Sequence, residues 1–298
     1  MTKNNNSKFN EQYIKIEMDN PKYPIELLAL KNPPKQLHCI GNVDLLYGHK
    51  FAIVGSRKFS TYGRRITRDM SNFLSKSGIT IISGLAMGID AIAHENSVEN
   101  IGSTIAVLGC GLDSIYPSSN KNIRKKIEEY GLVITEYDFG TKPSKWTFPQ
   151  RNRIIAALSE KIIVTEAGNN SGACITAELG VELGKEVYTF AHNIYSQHGI
   201  GSNKLIKDGI TPLFSIDEIL KDYTMVNFSQ INHIETASSK ISDEELAILN
   251  YIQLNGETTC DSISQKLNIS IDKVSSITTI LELKGLIENY LGRIFAIK

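Results

Sequence analysis

Two glycine-containing segments of this chain carry residues that can bind a phosphate group. Gly55-Ser56-Arg57 follows one apolar run, and residues 168–172 follow another and precede a segment of helical composition. An arginine guanidinium presents a planar fork of donors that matches phosphate oxygens. The backbone N–H groups of a glycine-rich turn that opens a helix point outward and attract anions. The candidate residues of these turns and of a third, similar turn are Gly55, Ser56, Arg57, Ser83, Gly84, Gly168, Asn170, Ser171 and Gly172.

A further segment, residues 142–153, combines cations with aromatic rings. Its basic and aromatic residues are Lys142, Lys145, Trp146, Phe148, Arg151 and Arg153. Aromatic rings stack on unpaired bases while cations neutralise the phosphates, so this composition favours single-stranded nucleic acid. Phe148 could instead be a lid that packs on the sheet. The candidates from this segment and from the basic helix that follows Tyr116-Pro117 are Lys121, Phe148, Arg151, Asn152 and Arg153.

The elements that must position these residues are buried strands. Six apolar runs alternate with helical patterns, at residues 51–54, 79–82, 104–108, 132–134, 162–164 and 186–190. Strands that alternate with helices imply βαβ units and a parallel sheet, and ligands of such open sheets bind at the carboxyl ends of the strands. The sequence therefore predicts an α/β fold with a Rossmann-like, doubly wound, mostly parallel sheet. The turns after Val54, Ile82, Leu108 and Val164 should converge on one crevice.

The patterns divide the chain into four parts. Residues 1–50 are an N-terminal extension that forms a helical or irregular cap, residues 51–221 are the sheet domain, and residues 222–240 are a linker. Residues 241–298 show three short helices and a hairpin, the pattern of a winged helix. This last part has five basic and eight acidic side chains. Because phosphate neutralisation dominates DNA affinity, a protein contact or a vestigial role is favoured there over DNA binding.

Composition and missing motifs argue against several classes of protein. The 32 basic and 32 acidic residues cancel, so only a local patch can attract nucleic acid. The four cysteines are scattered, and neither a zinc site nor a disulfide framework is expected. No apolar run reaches the roughly 18 residues of a membrane span, so we expect a cytoplasmic protein without membrane contact. The signatures of nucleotide triphosphatases, nicotinamide enzymes and serine hydrolases are lacking, and we expect no cofactor, no metal and no catalytic residue.

Asp90 and His94 are four residues apart and share a face of a predicted helix. They could form an acid/base pair. We favour the alternative that Asp90 is a carboxylate at the helix start that orients a locally packed histidine, because no nucleophile accompanies the pair.

Five ordered motifs resemble those of the bacterial DNA-processing protein A (DprA, also called Smf) family. They are IVGSR at 53–57, SGLAMGID at 83–90 with Ala93-His94, GCGLD at 109–113 with Tyr116-Pro117, FPQRNR at 148–153, and Glu166-Ala167 with Ser171-Gly172. The resemblance covers about residues 23–220, and the C-terminal part is similar to the family's winged-helix module. Two features depart from the family. Ala191-His192 stands where Pro-Gly is usual, and residues 1–50 are too short for the sterile-alpha-motif-like domain of some members.

The resemblance implies a non-enzymatic protein that binds and protects single-stranded DNA during natural transformation and homologous recombination. It also implies a homodimer formed through the Rossmann-like domain and a partner, the recombinase RecA, to which the strand is handed. On the matching positions, Gly55-Ser56-Arg57 would grip phosphate. Lys121 and Arg151-Asn152-Arg153 would line the same pocket, and Phe148 would stack on a base or form a wall.

Two other functions stay open at this point. Residues 166–178 look distantly like the phosphate loop of nucleoside 5′-monophosphate phosphoribohydrolases, in which Glu178 could act on a ribose and Arg151 could bind phosphate. The Pro-Gly-Gly start of that loop is missing. A small-nucleotide sensor with an effector tail is the other function. Release of free base from nucleoside monophosphates would favour the enzyme, and mononucleotide binding without dependence on oligonucleotide length would favour the sensor.

Overall fold

The computed structural model describes residues 13–220, 242–290 and 292–296. They form two compact units, one on each side of the gap between residues 220 and 242. The predicted linker, residues 222–240, lies outside the described residues. Within the described ranges, no helix has both the length and the apolar character that a membrane span requires. The same ranges contain no cluster of three or more histidine, cysteine, aspartate or glutamate side chains that could hold a metal ion.

The described part of the N-terminal unit contains one sheet, α-helices and short 3-10 helices. The strands are β1 (Tyr13–Glu17), β2 (Gln36–Gly41), β3 (Lys50–Gly55), β4 (Thr80–Ser83), β5 (Thr104–Val107), β6 (Leu132–Thr135), β7 (Lys161–Glu166), β8 (Glu186–Phe190) and β9 (Thr211–Leu213). The α-helices are α1 (Thr61–Lys76), α2 (Ile89–Glu95), α3 (Lys121–Tyr130), α4 (Thr147–Leu158), α5 (Gly172–Glu182) and α6 (Ile200–Lys207). The 3-10 helices are Ile25–Ala29, Val43–Leu46, Ser118–Asn120 and Asp217–Leu220.

The strand order of the sheet is β1-β2-β6-β5-β4-β3-β7-β8-β9, and all neighbours from β6 to β9 are parallel. From β3 the chain runs outward through β4 and β5 to β6, and then returns to add β7, β8 and β9 on the other side of β3. β3 and β7 are therefore neighbours at the point where the strand order reverses. In sheets of this class a ligand crevice opens outside the carboxyl ends of such a pair. The six predicted strands and the Rossmann-like, doubly wound sheet are confirmed.

Strand β7 is buried on both faces, as its continuous apolar run predicted. Ile162, Ile163 and Val164 are each 0% exposed. Ile162 and Val164 pack with the buried side chains of α4 and α5, whereas Ile163 packs with those of α1 and α2. Because successive side chains of a strand point to opposite faces, this alternation places α4 and α5 on one side of the sheet and α1 and α2 on the other.

Local signals set both ends of α1, the helix that follows the first candidate turn. The Ser60 side chain accepts a hydrogen bond from the Gly63 N–H at 3.0 Å and so caps the start of the helix. Gly78 follows the last turn with a φ of +82°, a conformation that glycine adopts without strain. The start of α1 is thereby fixed just after Arg57.

The N-terminal extension differs from its prediction. Besides the short 3-10 helices Ile25–Ala29 and Val43–Leu46, it supplies β1 and β2, which were not predicted. These strands pair with each other, and β2 attaches to β6 in antiparallel orientation. The polar side chains of Gln36 and His38 interrupt the apolar pattern of β2, so the sequence did not indicate a strand. The edge strand β9 was missed as well, because it is short and contains Pro212, which cannot donate to a ladder.

The C-terminal unit has the winged-helix pattern that the sequence predicted. Its elements are α7 (Asp243–Asn255), α8 (Cys260–Leu267), α9 (Ile271–Leu283), β10 (Ile287–Tyr290) and β11 (Arg293–Ala296). Ser242 and Glu245 form a capping box at the start of α7. Ile248 and Ile252 of α7 are 0% exposed and pack against α8, α9 and the hairpin. Leu246 of the same helix is 46% exposed.

Candidate functional site

A crevice of about 620 Å³, open to solvent, lies outside the carboxyl ends of β3 and β7. Its walls are the turn after β3, the turn after β7 and the first turns of α4 and α5. This placement agrees with the reversal of strand order between β3 and β7. The structure brings together these predicted residues: Gly55, Ser56, Arg57, Phe148, Arg151, Asn152, Gly168, Asn170, Ser171 and Gly172.

A smaller recess adjoins the crevice on the side of β4 and β5. Its lining includes Gly84 of the turn after β4 and residues 108–110 of the turn after β5. It shares Arg57, Phe148 and Arg151 with the larger crevice. The four turns that the strand pattern predicted to converge therefore meet in two adjoining spaces around the same three side chains.

The turn after β7 presents the start of a helix to the crevice. Asn170 has a φ of +56°, in the left-handed region, which turns the chain back toward α5. The Ser171 side chain caps α5 by accepting a hydrogen bond from the Ala173 N–H at 3.3 Å. Gly172 is the first residue of that helix. The positive end of the α5 dipole therefore lies at the crevice and favours an anion there.

Arg57, Phe148 and Tyr116 form a stack beside the crevice. The Tyr116 and Phe148 ring centroids are 5.4 Å apart, with 30° between the ring planes. The Arg57 guanidinium carbon lies 5.7 Å from the centroid of the Phe148 ring. Arg57 is exposed and Phe148 is half-buried. The Phe148 ring also covers Gly109, where an added Cβ would lie 2.8 Å from it, so it both packs on the protein and lines the crevice.

The sequence analysis expected the Arg151 guanidinium to be free to bind phosphate, but it is buried and hydrogen-bonded within the protein. Its Nη1 donates to the carbonyl oxygen of Gly84 at 2.6 Å and to that of Val107. Its Nε donates to the Asn152 side chain at 3.1 Å. Desolvation lowers the pKa of Arg151, and the negative charge of Asp90 opposes this shift. Arg151 therefore joins the start of α4 to the ends of β4 and β5, and it lines the crevice as a buried positive charge.

Arg153 lies apart from the crevice, although the sequence placed it with Arg151. Its guanidinium forms an ion pair with the Glu136 carboxylate, and both side chains are mostly buried. The physical reason is helix geometry, because α4 begins at Thr147 and includes both arginines. Side chains two residues apart on a helix project about 200° apart, so these two arginines cannot face one space.

Two other predicted residues do not reach the crevice either. Ser83 is 0% exposed, and its hydroxyl donates to the Ile53 carbonyl oxygen at 2.6 Å, which links β4 to β3. Lys121 begins α3 and is exposed, and it belongs to neither the crevice nor the recess. Arg124 of the same helix is buried and donates to the Ser114 carbonyl oxygen.

Asp90 and His94 shape the turn after β4. His94 packs locally, as the favoured alternative predicted, but Asp90 does not orient it, because the two side chains bond different groups. The Asp90 carboxylate accepts hydrogen bonds from the backbone N–H groups of Gly84, at 3.1 Å, and Ala86, at 3.4 Å. His94 Nε2 accepts from the Leu85 N–H at 3.3 Å. Burial of the imidazole lowers the pKa of His94 to about 3. The histidine is therefore neutral near pH 7 and holds the turn rather than transferring protons.

The crevice lining also contains Lys58, Tyr116 and Lys145, which the sequence did not single out as site residues. Their positive charge and aromatic character are visible in the sequence. A run of basic residues on a surface usually marks a solvated face, so charge alone could not select these lysines. The fold distinguishes them because it brings the turn after β3 close to the segment that precedes α4.

A buried carboxylate at the end of β7 fixes the start of α1. Glu166 is 0% exposed and accepts hydrogen bonds from the Ser60 N–H and the Ser60 hydroxyl, both at 2.7 Å. An added Cβ on Gly63 would lie 2.2 Å from this carboxylate, so the position requires glycine. His192, where the sequence departs from the family pattern, places Nδ1 4.0 Å from the same carboxylate and packs edge-on against the Tyr62 ring. His192 thus belongs to the support of the α1 start.

Comparison with protein-family models gives two matches. The model described as DNA recombination-mediator protein A matches residues 15–224, which contain the whole of the crevice. The model described as winged helix-turn-helix DNA-binding matches residues 245–288, within the C-terminal unit.

Curated relatives match the same part of the chain. Protein Smf of Synechocystis is 41% identical over 206 residues, which are 68% of this chain and 52% of that protein. DNA processing protein DprA of Bacillus subtilis is 35% identical over 216 residues, which are 72% of this chain and 73% of that protein. The chain thus spans about half the length of the Synechocystis relative and nearly three quarters of the Bacillus one.

Two solved structures share the fold. DNA processing protein A from Helicobacter pylori, described for its single-stranded DNA binding mode, has a TM-score of 0.66 and 33% identity, covering 71% of this chain and 95% of that one. DNA processing protein A from Streptococcus pneumoniae has a TM-score of 0.67 and 38% identity, covering 72% and 75%. Together with the matched model and the crevice at the β3/β7 reversal, these relatives show that the chain belongs to the DNA recombination-mediator protein A family, also called DprA or Smf.

Proposed function

We propose that this chain binds single-stranded DNA in the crevice and acts as a non-enzymatic mediator of DNA recombination. The observation that carries the proposal is the stack of the exposed Arg57 cation on the half-buried Phe148 ring, beside the start of α5. Phosphates then contact Arg57, Lys58 and the helix start, and a base contacts the aromatic rings. Recognition by charge and stacking tolerates any sequence and weakens with salt.

A single strand suits this site better than a duplex. Phe148 is recessed against Tyr116 and Gly109, so a base must leave its neighbours to reach the ring. The bases of a duplex are paired and stacked on one another, whereas those of a single strand can turn toward an aromatic side chain. The Helicobacter pylori relative, whose single-stranded DNA binding mode has been described, supports the same ligand.

The position of Glu178 supports a binding protein rather than a phosphoribohydrolase. Glu178 lies in an adjoining depression with Lys204 and Asp208, which shares residues 169–171 and Ile175 with the crevice. Arg151, the phosphate-binding candidate of the hydrolase hypothesis, lines the crevice and not this depression. Arg57 and Phe148 are not part of that depression. A hydrolase of this type requires the acidic residue and the phosphate-binding residues in one pocket, because the ribose is attached to the phosphate.

Arg57→Ala tests the proposal directly. We expect the affinity for single-stranded oligonucleotides to fall roughly tenfold for every sequence, because a charge-assisted contact to phosphate is lost. The slope of log affinity against log salt concentration should decrease by about 0.7, the value for one phosphate contact on a single strand. Fluorescence anisotropy of labelled oligonucleotides of increasing length, with a duplex as comparison, measures both quantities.

Lys76→Ala is the matched control for this variant. Lys76 is an exposed cation in the last turn of α1, about 24 Å along the helix from the end that adjoins Arg57. Its removal changes the net charge equally and should leave the affinity unchanged. Equal affinities of the Arg57→Ala variant and the unchanged chain, at low and at high salt, would refute the crevice as the DNA site.

We also propose that the chain acts as a homodimer that hands the bound strand to the recombinase RecA. Membership of the family supports this proposal. Two crevices on one strand would increase avidity without new contacts.

The test of RecA loading measures how fast RecA filaments start on a strand coated with single-strand-binding protein. The chain should shorten the delay, and Arg57→Ala should shorten it less; an unchanged delay would remove RecA loading from the proposal while leaving DNA binding intact.

A further inference from the structure

The single tryptophan of this chain, Trp146, is an exposed residue beside the crevice that the binding site described above does not use. Its side chain is 83% exposed, and it is the residue that immediately precedes α4. Phe148, two residues later, is half-buried against Tyr116. The indole ring is therefore available to stack on a flat group outside the chain.

The neighbours of Trp146 place it at the rim of the crevice. Lys145 precedes it and lines the crevice, and so does Pro149. Residues three apart at a helix start lie on the same face, so Trp146 and Pro149 lie one above the other. The indole therefore lies next to two residues that line the crevice, Lys145 and Pro149.

The charge around Trp146 indicates an anionic partner. Residues 139–159 contain no aspartate or glutamate, and they include two exposed lysines, Lys142 and Lys145. The two arginines of the segment are engaged within the protein, Arg151 with backbone carbonyl groups and Arg153 with Glu136. An apolar protein surface would gain little from two lysines beside the ring. A polyanion with flat apolar groups attached would use both the ring and the cations.

We propose that Trp146 stacks on an unpaired base of the strand directly after the strand leaves the crevice, while Lys142 and Lys145 contact the adjoining phosphates. This inference rests on the proposed function and adds one base contact outside the crevice. It makes Trp146 a positioning residue, which fixes the direction in which the strand leaves and lengthens the stretch of DNA that the chain covers. The crevice itself binds the strand without it.

Because Trp146 is the only tryptophan of the sequence, its own fluorescence reports the contact. Stacking of a base on indole quenches the emission. Titration of the full chain with oligodeoxythymidylates from about 4 to about 24 nucleotides should show two lengths. The shorter is the length at which anisotropy first reports binding, and the longer is the length at which quenching first appears. Quenching that begins at the shortest bound length, or no quenching at any bound length, would overturn the contact outside the crevice.

Variants at position 146 give an independent test. Trp146→Ala should weaken binding of the long oligonucleotides roughly fivefold, the lower end of the range for one stacked base. The same variant should leave the short ones unaffected, and Trp146→Phe should restore most of the loss. The salt slope should stay unchanged in both variants, unlike that of Arg57→Ala, because no charge is removed. Tyr130→Ala removes another exposed aromatic ring, at the far end of α3, and should have no effect.

The outcomes separate this inference from the proposed function. If Trp146→Ala binds oligonucleotides of every length with the same affinity as the unchanged chain, then Trp146 has no role in binding. The crevice site would still stand. Absence of oligonucleotide binding by the unchanged chain would overturn both. An equal loss for long and short oligonucleotides would also contradict the inference, since it would place Trp146 within the crevice contact itself.

Discussion

Replacing Arg151 with methionine should destabilise the N-terminal unit by about 3–5 kcal/mol, the range measured when one partner of a buried charge pair is removed. The Arg151 guanidinium donates to the carbonyl oxygens of Gly84 and Val107, which would lose these donors inside the protein. Burial raises the pKa of the Asp90 carboxylate, and the positive charge of Arg151 opposes this shift, so Asp90 would lose that compensation. Methionine fills much of the same volume, so the loss reports hydrogen bonds and charge more than packing. Urea unfolding at pH 7, followed by circular dichroism, measures it.

Two further variants show whether charge accounts for the loss. Lys145→Met removes an exposed cation from the same segment and should change stability by less than about 0.5 kcal/mol. Asp90→Asn should cost less free energy in the Arg151→Met background than in the unchanged chain, because it removes the uncompensated carboxylate. Additive effects of the two substitutions would contradict the electrostatic link between Asp90 and Arg151. A loss below about 1 kcal/mol for Arg151→Met would contradict its role in joining α4 to the sheet.

The sheet was predictable because its signals are local. The run of Ile162, Ile163 and Val164 demands burial on both faces, and the structure packs these side chains into two different clusters. Glycine and serine follow the strands where the chain turns into helices. The rule that ligands of open parallel sheets bind at the carboxyl ends then leads to the crevice without knowledge of the strand order.

The role of each arginine was not predictable in the same way. The residue types of the segment 142–153 did not show where a helix begins, whereas α4 begins at Thr147 and contains Pro149 in its first turn. Proline is tolerated there because the first N–H groups of a helix have no partner within it. The position of the helix start decides which arginine faces the crevice. With α4 starting at Thr147, Arg151 points toward the ends of β4 and β5, and Arg153 points toward Glu136.

Strand β2, which lies between β1 and β6, shows a second limit of local patterns. His38 is 4% exposed, which its polarity does not suggest. The ring is buried because its two nitrogens find partners distant in sequence, the Tyr13 hydroxyl at 2.7 Å and the Asp138 carboxylate at 3.1 Å. A polar residue can enter a core when hydrogen bonds replace water. Only the fold supplies these partners, so no local pattern could have revealed β2.

Stability of the N-terminal unit should fall as the pH decreases from about 6.5 toward 3, and His94 should contribute up to about 1.4 kcal/mol per pH unit to the fall. Burial lowers the pKa of His94 from 6.5 to about 3, and the nearby charge of Arg151 lowers it further in the same direction. Between these two values the unfolded chain binds a proton at His94 and the folded chain does not. The folded state is therefore favoured above pH 6.5 and loses this advantage as the pH falls.

The hydrogen bonds around His94 also favour the neutral ring, so they predict the same loss of stability as the pH falls. Thr104 Oγ1 donates its one hydrogen to the Ile81 carbonyl oxygen at 2.6 Å, so it accepts from His94 Nδ1 at 2.7 Å. Nδ1 thus carries the proton of the neutral ring, and Nε2 accepts from the Leu85 N–H. Protonation of Nε2 would place its N–H group directly against the N–H group of Leu85. Leu85 has a φ of +55° and belongs to the turn that lines the recess beside Arg57.

His94→Gln tests this dependence, since it removes the titrating group and keeps an acceptor for the Leu85 N–H. We expect the variant to be less stable than the unchanged chain at pH 7 but to lose stability more slowly between pH 6.5 and 4.5, when free energies of unfolding are measured in urea at several pH values. His49→Gln, at an exposed histidine, should keep the steep dependence. If the His94→Gln variant and the unchanged chain lose stability equally over this range, then another group is responsible, and His94 does not make the turn after β4 sensitive to acid.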